Sequence, residues 1–342
     1  MQVSTLGIDL AKNVFQVHGV DAAGKVVVTR KLRRSQVLTF FAKLPRCCLV
    51  GMEACATSHH WARELGALGH DVRQMPASYV KAYVKRNKND AADAAAICEA
   101  VTRPSMRFVP VKTAEQQAAL MLHRTRDLLV RQRTQLINAL RAHLAELGLV
   151  AAQGCDGLKV LVGIIKDETN QLPDVAKAAL QTILNQLDAL QQQIGELERQ
   201  IHARHRASDA SRRLETIPGI GIIGATAIAA TVTDPKVFKS GREFAAWIGL
   251  VPRQNSTGGK ERLGSISKQG DRYLRRLLVI GATTVLRHAR THPEKNPWLM
   301  QLLARRPAKV VAVALANKTA RIAWAVLAKG GTYRAPASVV TV

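Results

Sequence analysis

Four carboxylates in the first hundred residues have the type and placement that metal-assisted phosphate chemistry needs. Asp9 and Glu53 each close a short apolar run typical of a β-strand, and Asp90 and Asp93 precede an alanine-rich segment. Residues three apart share one face of a helix, so Asp90 and Asp93 can point at the same ion. Taken singly, Asp90 is equally well explained as a helix N-cap, and Asp93 as a first-turn acid that the helix dipole favours.

Considered together, the four acids predict a metal site. A carboxylate at the end of a buried strand is costly unless it is paired or binds a cation. Oxygen ligands without His or Cys select Mg²⁺, or alternatively Mn²⁺, rather than zinc. Two such ions can clamp the attacking and leaving oxygens of a phosphodiester, so we expect phosphoryl transfer at this site.

A second candidate site is the segment Pro252 to Lys260, which reads PRQNSTGGK and sets Ser256 and Thr257 beside two glycines. A hydroxyl there can hold a phosphate or attack one, and attack requires cations that stabilise the alkoxide and the phosphorane. From composition alone, a phosphate-binding loop is the favoured interpretation. The basic residues that we expect to contact nucleic acid here are Arg253, Lys260, Arg262, Lys268, Arg272, Arg275 and Arg276.

A third candidate is the turn Ile217-Pro218-Gly219-Ile220-Gly221 between two helical segments. It looks like a helix-hairpin-helix, in which a tight glycine turn exposes backbone N–H groups to a phosphate. A helix C-cap followed by a new helix is a physically similar alternative. The charge of the chain favours phosphate binding at Pro218, Gly219 and Gly221.

Composition narrows the class of protein. The 342 residues include 50 Lys+Arg and 25 Asp+Glu, a net charge of +25, which indicates a polyanionic partner such as nucleic acid. A hydrophobic content of 47% is enough to build cores and excludes a mainly disordered basic arm.

Five cysteines without a CxxC pair fit neither a disulfide framework nor a zinc ribbon, and predict reduced thiols in a cytoplasmic protein. No apolar run approaches the roughly 18 residues of a membrane span, so we expect no membrane partner.

The elements that must position these residues change in kind along the chain. Runs at Val3–Ile8, Val14–Val20 and Val26–Leu32 predict three antiparallel strands, and alternating helices and strands then continue to residue 75, so the class is α/β. A long helix is predicted from Thr113 to about Leu147. Beyond Arg212 the chain is expected to be mainly helical around a basic glycine-rich loop.

A heptad pattern occupies the middle of the chain. One register contains Leu180, Leu187, Ile194 and Ile201, and the other contains Ile183, Leu190 and Leu197. This seam favours a coiled coil, within or between chains, over a single amphipathic helix on a globular core. We therefore predict domains at residues 1–112, 113–211 and 212–342.

Together these motifs resemble the DEDD-type transposases of the insertion sequence one-ten family, close to its eleven-eleven subgroup. The resemblance spans nearly the whole chain and rests on GIDLAK, the strand ending in Glu53, KNDAADA, IPGIG, PRQNSTGGK and ISKQGDRYLRR. It implies a RuvC-like domain of RNase H fold that carries the acids, a coiled-coil linker, and a C-terminal transposase domain that supplies a nucleophilic serine.

The resemblance also implies residue roles. The four acids would bind Mg²⁺, and Ser256 would attack the scissile phosphate to form a transient phosphoserine link. The serine of the family commonly stands directly before a glycine, whereas here Thr257 has that place. We favour Ser256, a less hindered primary alcohol in a glycine-flexible loop, with Thr257 as the alternative and Ser265 and Ser267 as weaker candidates.

Partners follow from the same resemblance. Members of the family are guided by a structured noncoding RNA, called bridge or seeker RNA, that pairs with donor and target double-stranded DNA. They assemble as dimers that pair into a tetramer, with acids and serine supplied by different subunits. We therefore expect an RNA-guided transposase in the prokaryotic cytoplasm, associated with the nucleoid.

Two other functions remain open. A metal-dependent RuvC-like nuclease or junction resolvase would use the acids without a covalent serine intermediate, and a non-catalytic nucleic-acid scaffold would use neither.

Near the acids, Lys81, Lys85, Arg86 and Lys88 are expected to hold a phosphate beside the metals.

Overall fold

The chain forms two compact units, Met1–Gln117 and Ala118–Val342. The computed structural model describes residues 3–84, 89–167 and 169–335. The division falls at the start of a long helix, close to the first domain boundary expected from the sequence. The finer division into three domains stays a prediction.

The first unit is organised around a five-stranded sheet. Its strands are β1 (Thr5–Asp9), β2 (Val14–Val20), β3 (Val26–Arg33), β4 (Leu49–Glu53) and β5 (Asp71–Met75). The order across the sheet is β3-β2-β1-β4-β5, in which β1 to β3 pair antiparallel and β4 and β5 join parallel. The α/β class predicted from the alternating runs is confirmed for this unit.

Helices cover both faces of this sheet. They are α1 (Val37–Ala42), α2 (Ser58–Ala67), α3 (Ala77–Val80) and α4 (Asp90–Ala100). On one face, Ile8 and Met52 of the sheet pack in one core with Trp61 of α2. Ile97 of α4 and Met75 belong to a separate core, with α4 lying against β1 and β4. Strand residues therefore alternate between two buried environments, as expected for a sheet covered on both faces.

Helix α4 packs directly on bare strand backbone. A Cβ atom at Gly7 of β1 would lie 2.2 Å from the carbonyl oxygen of Ala94 and 2.4 Å from the amide nitrogen of Cys98. A Cβ atom at Gly51 of β4 would lie 2.8 Å from Cβ of Val101. Only glycine allows so close an approach, so these two positions determine where α4 lies over the sheet.

The second unit is mainly helical in its described part. Its elements are α5 (Ala114–Glu146, which begins in the first unit), α6 (Cys155–Lys166), α7 (Asp174–Ala207), α8 (Asp209–Glu215), α9 (Ile222–Thr231), α10 (Gly241–Trp247), β6 (Pro252–Gln254), β7 (Leu263–Ile266), α11 (Arg272–Thr291), α12 (Pro297–Arg305) and α13 (Ala308–Lys329). Leu140, Leu161 and Leu180 belong to a core of α5, α6 and α7, whereas Phe244 and Leu274 belong to a separate C-terminal core.

The predicted heptad seam lies on α7. Leu190 of the second register is buried, whereas Ile183 and Leu197 are half-buried. Arg126 of α5 donates two hydrogen bonds to Glu198 of α7, at 2.8 and 2.6 Å. The N-terminal part of the seam, at Leu180 and Leu187, packs in one core with residues of α5 and α6. The first register is buried along its length, at Leu180, Leu187, Ile194 and Ile201. Much of the seam is therefore used within the chain, and a coiled coil stays a prediction.

The sequence predicted no segment with the length and apolarity of a membrane span, but one helix, α13, has both. In the described residues, α13 has 22 residues and a mean hydropathy of 1.5 over its most apolar stretch. Its face with Ala316, Ala320 and Ala323 is buried in the C-terminal core. This burial is typical of a core helix, and the sequence-based expectation overlooked the segment because Lys309, Lys318 and Arg321 interrupt it.

We predict that Gly7→Ala destabilises the protein by at least about 2 kcal/mol, because the added methyl group overlaps the backbone of α4 and nothing flexible can yield. Urea-induced unfolding measures this free energy. Gly66→Ala in α2 is the matched control: its Cβ would meet nothing within 4 Å, so we expect no loss and a gain of up to about 1 kcal/mol. Equal stability of the two variants would contradict the proposed packing.

Candidate functional site

The first two acids stand at neighbouring strand ends. Asp9 is the last residue of β1 and Glu53 the last of β4, and these strands pair in parallel with Ile8 opposite Met52. The next residues along both strands are therefore neighbours, with Cα atoms about 5 Å apart. Long-range strand pairing thus brings together two carboxylates that are 44 residues apart in the chain.

Both carboxylates lie on the side of the sheet that α4 covers. Side chains alternate along a strand, so Asp9 shares a face with Gly7, and Glu53 shares a face with Gly51. The two glycines are the residues on which α4 packs. Partial burial raises the pKa of the Cys55 thiol, and the negative charges of Glu53 and then Asp9 raise it further. Both carboxylates therefore lie near this sulfur.

The second pair of acids occupies the first turn of α4. The N-cap is Asn89, whose side chain accepts a hydrogen bond from the Ala92 amide at 2.8 Å, so the alternative that Asp90 is the cap is wrong. Asp90 is exposed and Asp93 is half-buried. With the cap supplied by Asn89, both carboxylates remain available for other partners while the helix dipole stabilises their charge.

The direction of α4 brings this first turn towards the strand ends. Cys98 contacts the carbonyl oxygen of Thr5 through its Sγ atom at 3.7 Å, and Ala94 lies over Gly7. Four helical residues advance about 6 Å, nearly the same as two strand residues. One turn further towards its N-terminus, α4 therefore reaches the level at which β1 ends.

The four acids form two pairs on one face and at one edge of the sheet. Within residues 3–84, 89–167 and 169–335, no three His, Cys, Asp or Glu side chains stand close enough together to hold a metal ion. The all-oxygen donor set fits the preference of Mg²⁺ and Mn²⁺. A site that uses all four carboxylates requires the first turn of α4 to approach the strand ends more closely.

The basic residues expected beside the acids are only partly described. Lys81 is exposed in a short 3₁₀ turn after α3. Lys85, Arg86 and Lys88 lie outside the described residues. Their expected contact with a phosphate stays a prediction.

The serine segment is the tip of a β-hairpin. The amide of Asn255 donates to the carbonyl of Arg262 at 2.8 Å, and the amide of Lys260 donates to the carbonyl of Thr257 at 3.0 Å. Between them, Gly258 and Gly259 have φ values of 55° and 75°. Positive φ at both central residues is the requirement of a type I′ turn. The glycines therefore build a tight turn, where the sequence suggested flexibility.

Ser256 is the hydroxyl that this hairpin holds in place. Its Oγ accepts a hydrogen bond from the Arg262 amide at 3.1 Å and another from Nε2 of Gln254 at 3.2 Å. Donors on a hydroxyl oxygen favour the form that carries negative charge, so they assist loss of its proton. Thr257 contributes backbone to the turn, and Ser267 accepts from the Gln269 amide at 3.5 Å. Of these hydroxyls, Ser256 is the one whose oxygen accepts two hydrogen bonds within the hairpin, and its role as a nucleophile stays a prediction.

Gln254 was missed by the sequence analysis. A glutamine in a polar loop carries no signal by itself. In the structure, β6 ends at Gln254, and the hydroxyl of Ser256, two residues further along the chain, lies within hydrogen-bonding distance of the Gln254 side chain. A hairpin pattern around the Gly-Gly pair would have been the signal that identified this neighbour.

Two arginines of the basic set brace the base of the hairpin. Nη1 of Arg275 donates to the carbonyls of Ile248 and Gln269, both at 2.7 Å. Nη2 of Arg253 donates to the carbonyl of Ser267 at 3.2 Å. These contacts connect α11 and β6 to the segment that leads out of β7, and so they position the serine tip.

The remaining cations of the set do not brace the hairpin. Arg276 forms an ion pair with Asp127, and its guanidinium carbon lies 5.3 Å from the ring centroid of Tyr273. Lys268 lies in the segment after β7 and has a positive φ of 55°. Four of these remaining cations are exposed and form no ion pair within the described part of the chain, namely Lys260, Arg262, Lys268 and Arg272. Their charge is available to neutralise a phosphate.

The glycine turn between α8 and α9 has a packing role. Gly219 has φ 88°, and a Cβ atom there would lie 3.0 Å from the carbonyl oxygen of Gly281 in α11. Pro218 is exposed, and Gly221 is the exposed N-cap of α9. Two helices joined by a tight turn are present as expected, whereas phosphate binding by a helix-hairpin-helix stays a prediction.

A buried polar pair between α5 and α11 also gave no signal in the sequence. Nδ1 of His123 in α5 lies 3.3 Å from the hydroxyl of Tyr273 in α11, and His123 is 2% exposed. Ion pairs from Arg126 to Glu198 and from Asp127 to Arg276 flank it. A lone histidine in an amphipathic helix gives no sequence signal, because its partner is 150 residues away.

Comparisons with known proteins agree on one family. Residues 6–148 match a family model described as "Transposase", DEDD_Tnp_IS110, and residues 211–298 match the "Transposase IS116/IS110/IS902 family". The chain is 52% identical to a "Probable family 20 transposase" of Pseudomonas aeruginosa, over 98% of this chain and 99% of that protein. It is 42% identical to the "Transposase for insertion sequence element IS1111A" of Coxiella burnetii, over 97% and 92%. The transposase for element IS1328 of Yersinia enterocolitica is also 42% identical, over 97% and 98%.

We predict a pH-dependent contribution of His123 to stability. Burial, and then the positive charge of Arg126, lower the pKa of His123 from 6.5 to about 4. Between these values the unfolded chain binds a proton that the folded chain does not, so this contribution is present above pH 6.5 and is lost as the pH falls towards 4, by about 3 kcal/mol.

Urea unfolding of the wild type and of His123→Gln, followed between pH 7.5 and 4, tests this. The wild type should be more stable at pH 7.5, and the difference should shrink as the pH falls. A difference that stays constant over this range would show that His123 does not remain neutral.

Proposed function

Since the chain belongs to the IS110 family of transposases, we propose that it moves its own insertion sequence by RNA-guided, Mg²⁺-dependent phosphoryl transfer through a serine nucleophile. Transposase activity on DNA follows from the family, and the resemblance seen in the sequence motifs is confirmed. The guide, the metal and the serine are the further content of the proposal. The observation that carries it is the pair of hydrogen bonds that prepare Ser256 for attack.

The arrangement of the first unit supports a RuvC-like domain of RNase H fold. The strand order β3-β2-β1-β4-β5, with three antiparallel strands followed by two parallel ones, carries acids at the ends of the adjacent strands β1 and β4. A later helix on the same face carries the other two acids. When bound by Asp9, Glu53, Asp90 and Asp93, Mg²⁺ would stabilise the negative charge that develops on the phosphate.

Ser256 performs the covalent step of the proposed reaction. Its Oγ loses a proton and forms a bond to the scissile phosphorus, while the bond from phosphorus to the leaving sugar oxygen breaks and that oxygen takes a proton. The Arg262 amide and Nε2 of Gln254 stabilise the charge on Oγ before attack. Lys260 and Arg272, which are exposed near the hairpin, would neutralise the phosphate oxygens.

The charge of the chain supports binding of both DNA and RNA. A net charge of +25 supplies sequence-independent affinity for phosphates, and an aromatic content of 4% gives little surface for stacking on bases. In a guided system base pairing reads the sequence, while the protein binds backbone and shape. We infer that the guide is a structured noncoding RNA that pairs with donor and target DNA, and that dimers pair into a tetramer in the bacterial cytoplasm, at the nucleoid.

A metal-dependent nuclease or junction resolvase is the second candidate. It would use the same acids to activate water, and it would need no hydrogen bonds that favour charge on a serine. The contacts of Ser256 are the specific observation against it.

We predict that Ser256→Ala abolishes the covalent protein–DNA adduct and lowers strand transfer by at least about 100-fold, because the nucleophile is lost. Denaturing gels with a labelled element end detect both products. Thr257→Ala is the matched control, and we expect it to keep activity within a few-fold because Thr257 contributes backbone to the turn. Cleavage by Ser256→Ala, with no adduct from the wild type, would favour the nuclease.

We predict that Gln254→Leu slows adduct formation about tenfold, since one donor to Oγ is lost and about 1.4 kcal/mol of stabilisation with it. As a positioning residue, Gln254 should act on the chemical step alone: the rate of adduct formation should fall while the affinity for the element end stays unchanged. Gln269→Leu, at the base of the hairpin, is the control. Equal losses of rate and of affinity would assign Gln254 a purely structural role.

A further inference from the structure

A cleft of the first unit takes no part in the site described above. Its volume is about 620 Å³, and it opens where β3 ends and β2 begins, beside the start of α2. Its polar and aromatic lining consists of Asn13, Arg33, Arg34, Ser35, His60 and Trp61. Neither the acids nor the serine hairpin includes any of these residues.

The lining is positively charged and lacks a neutralising partner. Arg33 and Arg34 are exposed, and neither forms an ion pair within the part of the chain that the structure describes. Glu64, the acid beside the cleft, interacts with His60 at 3.7 Å on its own helix. Two consecutive guanidinium groups at one opening therefore remain available to an anion, and such groups match the geometry of phosphate oxygens.

The side chain of Arg34 is held in place by aromatic rings. Its guanidinium carbon lies 5.1 Å from the ring centroid of Trp61 and 5.9 Å from that of Phe15. The two rings are buried and meet edge to face at 5.1 Å, so they form a rigid floor. The amide of Arg34 also donates to the carbonyl of Asn13 at 2.9 Å. A cation fixed on aromatic faces keeps its N–H donors for a ligand.

The indole of Trp61 contributes its ring to the floor of the cleft. Trp61 is 4% exposed, and its Nε1 atom is buried. A ligand in the cleft therefore meets the aromatic ring with Arg34 stacked on it, rather than the indole N–H.

The cleft lies at the same edge of the sheet as the strand-end acids. Asp9 pairs with Gln16 of β2, and Val14, two residues further out, pairs with Arg33 of β3. The Cα atoms of Asp9 and Val14 are therefore roughly 8 Å apart across neighbouring strands. The acids face α4, and Trp61 at the start of α2 lines the cleft. A nucleic-acid strand that crosses this edge would meet both within a few nucleotides.

We propose that this cleft binds a backbone phosphodiester of the nucleic acid on which the first unit acts. Arg33 and Arg34 bind the phosphate oxygens, and Asn13 and Ser35 add neutral donors. The identity of the polyanion rests on the proposed function, whereas anion binding rests on the cleft itself. DNA and RNA share this phosphodiester, so either can supply it.

The test compares two double variants that each remove two positive charges from β3 and the turn after it. Arg33→Gln/Arg34→Gln alters the cleft. Arg30→Gln/Lys31→Gln is the matched control, since both residues are exposed on the same strand and neither lines the cleft. Fluorescence anisotropy measures the affinity of the full chain for a labelled DNA duplex, a DNA single strand and an RNA hairpin, in EDTA, between about 50 and 200 mM salt.

We expect the cleft variant to bind at least about tenfold more weakly than the control and to lose about 0.9 from the slope of log affinity against log salt, as for one lost phosphate contact on duplex DNA. A loss confined to DNA, confined to RNA, or common to both identifies the source of the phosphate. Equal affinity and slope in the two double variants, with every probe, would overturn the proposal.

One further variant guards against a folding defect. Arg33→Gln alone leaves the contact of Arg34 with Trp61 intact. We expect it to weaken binding about threefold while thermal unfolding stays unchanged. Because binding is measured without metal or cleavage, failure of the serine chemistry would leave this result unaffected, and failure of the cleft would leave the adduct assay unaffected.

Discussion

The close packing of α4 on the bare backbone of Gly7 and Gly51 is the constraint on which the first unit depends. Because no Cβ atom separates them, the helix lies in contact with β1 and β4, the two strands that end in acids. This contact, and the direction of α4, put the first-turn carboxylates at the level of the strand ends. A looser helix–strand interface would leave four acids on unrelated surfaces, however suitable their types are for a metal.

In the second unit, positive charge has two separate physical roles. Arg275 and Arg253 donate to backbone carbonyls, and Arg276 pairs with Asp127, so these guanidinium groups stabilise the hairpin and α11. Lys260 and Arg262 at the hairpin carry charge that no ion pair within the described residues neutralises. A net charge of +25 therefore overstates the number of cations available to nucleic acid, and the arginine braces explain where part of it is used.

Much of the architecture could be predicted from local pattern. The β-branched runs at 14–20 and 26–32 identify two strands because side-chain alternation is a property of the segment itself. The long α7 follows from its heptads, yet the same pattern did not reveal that Arg126 of α5 would pair with Glu198 beside the seam. Partner choice depends on contacts between distant residues, which a single sequence does not display.

The sequence by itself determined the residue types of both candidate sites, the α/β class of the first unit and the family to which the chain belongs, because these reside in motifs and short-range periodicity. Only the tertiary structure decided that Asp9 and Glu53 are neighbours, that Gly258 and Gly259 build a fixed turn, and that Gln254 and the Arg262 amide both donate to Ser256. The physical reason is that strand pairing, hairpin register and hydrogen-bond geometry arise from residues brought together by folding, at separations that periodicity cannot report.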